Sequence, residues 1–241
     1  MADAKRELID RLQKDILQWE GYRPPAADAA DLVGLGPVEA AFPNGAFPVG
    51  AVHELVCANA EQVAASEGFI GGLLSVLMRE GGACLWVGLS QSVFAPALSA
   101  FGIEPHRVIF LNLLRDQEVL WVMEEALKCK GLAAVIGEVS ALDFKQSRRL
   151  QLATEQSKVT GFVLRNASRK LGPTACAARW QVKPQPSETV NGLPGLGFPR
   201  WQVELLKVRN GQPGNWVVEW DEGRFVAVTE TVVLERSLGY G

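Results

Sequence analysis

Phe47-Pro48-Val49-Gly50-Ala51-Val52-His53-Glu54-Leu55-Val56-Cys57-Ala58-Asn59-Ala60-Glu61-Gln62-Val63 passes from an apolar run into a helical one across a short turn. Ala51–Val56 reads as a strand. A helix is expected from Asn59, because Asn59 and Gln62 have the spacing of a capping box. Val63, Phe69, Ile70, Leu73, Leu74 and Leu77 then follow at helical intervals, and Gly81-Gly82 ends the run. Strand, turn and long helix form the first unit of an α/β fold.

Further units follow downstream. Ala83–Leu89 and Arg107–Leu113 read as strands, with a short helix around Pro96–Phe101 between them. Asp116 is expected to cap a helix running to Lys130, and Asp143 another carrying Leu150 and Leu152. Leu132–Val139 is a continuous apolar run of the kind buried on both faces of a parallel sheet, and Thr160–Arg165 is a further strand. After Arg179 the helices stop. Ala177–Val182, Trp201–Val208, Trp216–Trp220 and Phe225–Thr229 read as antiparallel strands, with hairpin signals at Asn210-Gly211 and Glu222-Gly223. The expected fold is α/β with a mostly parallel sheet and an appended antiparallel one. Pro184–Pro199 is expected to be an exposed loop, and the tail beyond Thr231 weakly ordered.

Upstream, Leu8, Leu12 and Ile16, joined by Ile9 and Trp19, place an apolar stripe on a helix over 5–20. Gly21, Pro24 and Pro25 end it before an Ala/Asp-rich linker. Such a helix can pack on its own domain, on a second subunit in self-association, or on a partner. Leu8, Leu12, Ile16 and Trp19 are therefore candidate partner-binding residues. The expected organisation is a helical segment 1–22, a linker 23–45, an α/β core 46–183 and a β extension with tail 184–241.

The 241 residues, 48% hydrophobic and 21% charged, suffice for one large core, and no apolar run is long enough to span a membrane. The charged first twenty residues are no secretory signal. Four scattered cysteines and two histidines make neither a zinc site nor a disulfide framework. His53 and His106 stand without a nucleophile motif and read as structural. The net charge of −3 hides an asymmetry. No Lys or Arg falls between Arg23 and Arg79, whereas Lys145 to Lys183 is strongly basic. Arg148, Arg149, Arg165, Arg169 and Lys170 in that second interval are candidate DNA-binding residues. No exposed aromatic is evident among them to stack on bases.

The turn after the first strand is where a phosphate-binding loop would sit. That chemistry needs glycines whose N–H groups wrap the phosphates, a Lys for the β/γ oxygens and a hydroxyl for Mg²⁺. Cys57 to Glu67 has no Gly, no Lys and no paired hydroxyl in the required place, and Glu61 and Glu67 repel a triphosphate. Gly68, Gly71 and Gly72 come too late and suit close helix packing. At the end of the fourth strand Gly137 is followed by Glu138, which alternation turns to the other face. ATP binding, cofactors and catalysis are all expected to be absent.

Phe47–Leu55 resembles the segment that enters the phosphate loop of RecA recombinases. Ser147–Ser157 with Val159–Arg165, and Arg200–Gly211 with Trp216–Trp220, resemble the ImuA family of RecA-like proteins from the bacterial damage-inducible mutagenesis cassette. The resemblance covers about residues 36–230. It implies a RecA-like core, a cytoplasmic location, induction in the SOS response and work beside ImuB, RecA or a damage-tolerance polymerase. It also places Gly137 where the Mg²⁺-ordering Asp of RecA stands and Ser90 near its water-activating Glu. The DNA-binding loops shrink to Ala141–Lys145 and Asn166–Thr174. The expected function is thus a non-catalytic accessory of error-prone translesion synthesis. Alternatives are a DNA-binding module on the basic 145–183 segment and a cell-division inhibitor resembling SulA.

Overall fold

The structure, a computed structural model, describes residues 33–89, 93–166, 171–187 and 197–228. The chain divides into a unit Met1–Asp31 and a unit Leu32–Gly241. The stripe of Leu8, Leu12, Ile16 and Trp19 lies outside the described residues, as do Ser90, Arg169, Lys170, most of the Pro184–Pro199 loop and the tail.

Nine strands form one sheet among the described residues. They are β1 (Val52–Cys57), β2 (Ala83–Gly88), β3 (Val108–Asn112), β4 (Leu132–Val139), β5 (Thr160–Asn166), β6 (Ala178–Gln185), β7 (Arg200–Val208), β8 (Gly214–Asp221) and β9 (Arg224–Ala227). Their order is β3-β2-β4-β5-β1-β6-β7-β8-β9. The strands up to β6 pair in parallel and β6 to β9 antiparallel. The expected α/β fold is therefore present. The antiparallel strands continue the main sheet, because β6 joins β1 in parallel through His53 to Leu55.

Three α-helices cover the sheet: α1 (Ala60–Leu77), α2 (Asp116–Ala126) and α3 (Phe144–Ser157). α1 buries Phe69, Ile70, Leu73 and Leu74 against Trp180, Trp201, Val203 and Phe225. Its glycines serve that contact. A Cβ at Gly71 would stand 2.8 Å from Phe101 and one at Gly72 2.5 Å from Phe225. On the opposite face Val119, Leu120 and Met123 of α2 and Leu150 of α3 pack over Val52, Val87, Val135 and Val163.

Local signals explain most boundaries. Asp143 and Gln146 close a full capping box at the start of α3. Asp116 departs from its expected role. It is the first helical residue of α2, and its Oδ2 accepts from the Ser140 N–H at 2.9 Å, while Glu118 reaches back to Leu114 N. α2 also stops at Ala126, short of Lys130. The second half of the expected linker is folded: Pro37 and Pro43 start short 3₁₀ turns at Gly36–Ala41 and Pro43–Gly45, and Val33, Leu35, Val38 and Phe42 enter the core. Those apolar side chains outweigh the Pro/Gly content that makes the stretch read as a spacer. No helix among the described residues is long and apolar enough to cross a membrane.

Candidate functional site

The turn from β1 to α1 is only Ala58-Asn59. A helix start of this kind is an anion site when its leading N–H groups are free. Here one of them, and one N–H of the turn itself, are held by the chain's own side chains. Asn59 Oδ1 accepts from Gln62 N at 2.9 Å, and Gln62 Oε1 accepts from Ala58 N at 3.0 Å. Gln62 Oε1 also lies 3.4 Å from Gln181 Nε2, which ties the turn to β6. Glu61 in the first turn supplies the charge that suits the helix dipole.

Beside this turn, the ends of β1, β4 and β5 border a cavity of about 180 Å³ lined by Cys57, Val63, Glu138, Ser140 and Leu164 among others. Glu138 Oε1 accepts from the Trp86 indole N–H at 2.6 Å, on the α1 side of the sheet. Gly137 faces the other way, and a Cβ there would overlap Met123 Sδ of α2. The strand alternation read from sequence is the one observed. The position that the resemblance assigns to a metal-ordering carboxylate has no room for one while Met123 stands over it. Cys57 points at Ser66 Oγ at 3.4 Å. Burial raises its thiol pKa and lifts those of Cys84 and Cys176 to about 12, so all three are poor nucleophiles.

Two neighbouring residues of β1 carry the polar core. His53 is fully buried with its ring stacked on Phe47 at 4.4 Å. Its Nε2 lies 2.9 Å from Pro48 O and its Nδ1 3.3 Å from the Trp180 indole N–H. One tautomer satisfies both contacts, with Nε2–H donating and Nδ1 accepting. Burial lowers this imidazole to about 4, against the opposing pull of the Pro48 hydrogen bond. His53 is thus a neutral structural residue, as read from sequence. His106 is exposed, 3.9 Å from Glu104.

Glu54, also fully buried, points to the other face. Its Oε1 accepts from Arg165 Nη1 at 2.9 Å, and its Oε2 from Arg179 Nε and Thr174 Oγ1, both at 2.8 Å. Sequence reading missed this cluster. The signal was an acidic residue inside an otherwise buried strand, which demands a cationic partner.

The cluster also corrects one candidate. Arg165 was expected on a DNA-binding surface, but its side chain is 3% exposed and spent on Glu54. Arg149 sits on the flank of α3 toward α2, with Nη2 2.6 Å from Glu124 Oε2. Arg148, about 100° away on the same helix, is exposed. The structure thus separates the candidates it describes. It also supplies an aromatic that the sequence did not reveal. Trp121, 61% exposed, lines a groove with Gln117, Gln146 and Arg149.

No family profile matches the chain. Protein ImuA of Caulobacter vibrioides is 36% identical over 197 residues in each of two strains, across 77% of this chain and 81% of that protein. Among solved structures, the crystal structure of the RadB recombinase aligns with a TM-score of 0.51 at 14% identity, over 77% of this chain and 94% of that one. That likeness establishes a RecA-like fold.

Proposed function

This chain belongs to the ImuA family, and from that premise we propose that it is a non-catalytic accessory of DNA-damage tolerance, acting in the cytoplasm through contacts with ImuB, RecA or an error-prone polymerase. The observation that supports a non-catalytic role is the start of α1. A two-residue turn without Gly or Lys, whose Ala58 and Gln62 N–H groups are already held by the Gln62 and Asn59 side chains and whose first helical turn carries Glu61, is poorly built to wrap a triphosphate. The crowding of Gly137 by Met123 removes the place for a carboxylate that would order Mg²⁺. On this reading the chain is a RecA-like core that neither holds nor splits ATP, and such a core is suited to presenting surfaces.

Calorimetric titration with ATP and Mg²⁺ is expected to give no binding heat, and a measurable affinity overturns the non-catalytic reading. Affinity purification from DNA-damaged cells is expected to recover ImuB or RecA, with the yield falling when residues 1–22 or the tail are deleted. Recovery of no repair protein under those conditions counts against the accessory role.

A further inference from the structure

The sheet face that carries Glu54 also gathers more cations than carboxylates. Arg179 Nη2 donates to Gly172 O at 2.7 Å, Lys207 Nζ to Thr174 O at 2.8 Å, and Arg209 Nη2 to Ala175 O at 3.3 Å. Three basic side chains, from β6, β7 and the residue just after β7, thus converge on one short segment, 172–175. Their acceptors there are peptide carbonyls, which orient a cation without cancelling its charge. Further along the same strands the pattern differs: Lys183 lies 3.7 Å from Glu204, and Arg200 2.8 Å from Glu219.

The local balance is strongly positive. Arg165 and Arg179 share the single buried carboxylate of Glu54. Lys207 and Arg209 are exposed, and among the described residues neither forms an ion pair. α3 adds a further cation at the border. Ser147 Oγ accepts from Ala175 N at 2.9 Å, which docks the helix against the segment, and Arg148 follows as an exposed residue.

We propose that Arg148, Lys207 and Arg209 form a strip that binds the phosphodiester backbone of a nucleic acid passing over residues 172–175. Lys207 near the end of β7 and Arg209 just beyond it stand two residues apart, about 7 Å along extended backbone, so they meet successive charges of an extended polyanion. Carbonyl-held ammonium and guanidinium groups exchange readily onto phosphate, because the new bond is charge-assisted on both sides. The strip is read from charge and geometry, and it stands apart from the reading through protein partners: either can fail alone.

The test uses the full chain and fluorescently labelled oligonucleotides of about 20 nucleotides, longer than a single site of ~4–16. Anisotropy is measured across a salt series with a single strand and with a duplex, which tells the two sources of phosphodiester apart. The expected result is a binding constant that falls linearly with salt on logarithmic axes. K207Q/R209Q should flatten the single-strand slope by about 1.4, or the duplex slope by about 1.8. On a single strand that change is roughly a 25-fold loss of affinity at 0.1 M salt. R148Q, which disturbs no carbonyl contact, should flatten the single-strand slope by about 0.7 and keeps the test valid if the double variant unfolds. R149Q, whose guanidinium is already held by Glu124, should leave the slope alone. The proposal is overturned by a wild-type chain with no salt-dependent binding, or by unchanged slopes in both K207Q/R209Q and R148Q. Displacement of the oligonucleotide by polyglutamate at equal charge also overturns it, because the surface then recognises any polyanion.

Discussion

At β1 the two faces of the sheet treat burial in opposite ways. Toward α1, His53 sits among Phe47, Phe162 and Trp180 with only dipoles for partners, and desolvation keeps it neutral. Toward α3, one residue along, Glu54 is equally buried but meets two guanidiniums and a hydroxyl. Burial alone does not decide whether a group is charged; the groups that converge on it do. The contrast extends outward. The α1 side holds the helix start where a phosphate would normally be sought, yet two N–H groups there are already held and its charge is acidic. The α3 side gathers exposed cations around residues 172–175, where the first turn of α3 docks. Positive charge is thus collected away from the place where nucleotide chemistry would need it.

Breaking the ionic face should have the largest effect. Glu54→Gln strands Arg165 and Arg179 without their counter-charge, and a loss of about 3–5 kcal/mol is expected in urea unfolding. A variant as stable as the wild type would mean that the arginines find other partners. The neutral face can be broken by pH. Because the folded-state pKa of His53, about 4, lies below its ordinary 6.5, the unfolded chain binds the extra proton. Its contribution is present above pH 6.5 and is lost as pH falls toward 4, about 3 kcal/mol in all. Stability measured across that window should drop in the wild type and drop less in His53→Gln.

A smaller loss, about 1–3 kcal/mol, is expected for Gly137→Ala, where the added methyl must displace Met123. Pairing it with Met123→Ala should recover part of that loss, and failure to do so would place the clash elsewhere. The mildest case is Asn59→Ala, at about 1 kcal/mol by thermal melting, since it frees one N–H at the start of α1. The same variant sharpens the contrast between faces. If closure of that turn is what keeps anions away, N59A should gain weak phosphate affinity that the wild type lacks.

Features with short-range causes were legible in the sequence. The Asn59–Gln62 pair and the Asp143 cap act within three residues and were found, and so was the close-packing role of Gly71 and Gly72 from their spacing along one helix. The β/α alternation followed from apolar periodicity. Glu54 was not understood, because its partners lie 111 and 125 residues away and only the β5-β1-β6 order brings them together. For the same reason Arg165 looked available for DNA, and Lys207 and Arg209 were overlooked as ordinary residues of a strand and its turn. Residues 33–42 read as a spacer because their apolar side chains lack any period until Trp180 and the outer strands supply a surface for them.

Gly137 has one consequence that concerns history more than stability. Where the seat of a carboxylate stands empty, a single substitution can refill it. Here the thioether of Met123 stands in the seat, so an aspartate at 137 must either displace that side chain or meet a smaller residue at 123. The smaller residue alone leaves a void beside β4, and the aspartate alone meets the clash, so each single step costs stability. The packing of one methionine thus sets a barrier between this core and a carboxylate at 137.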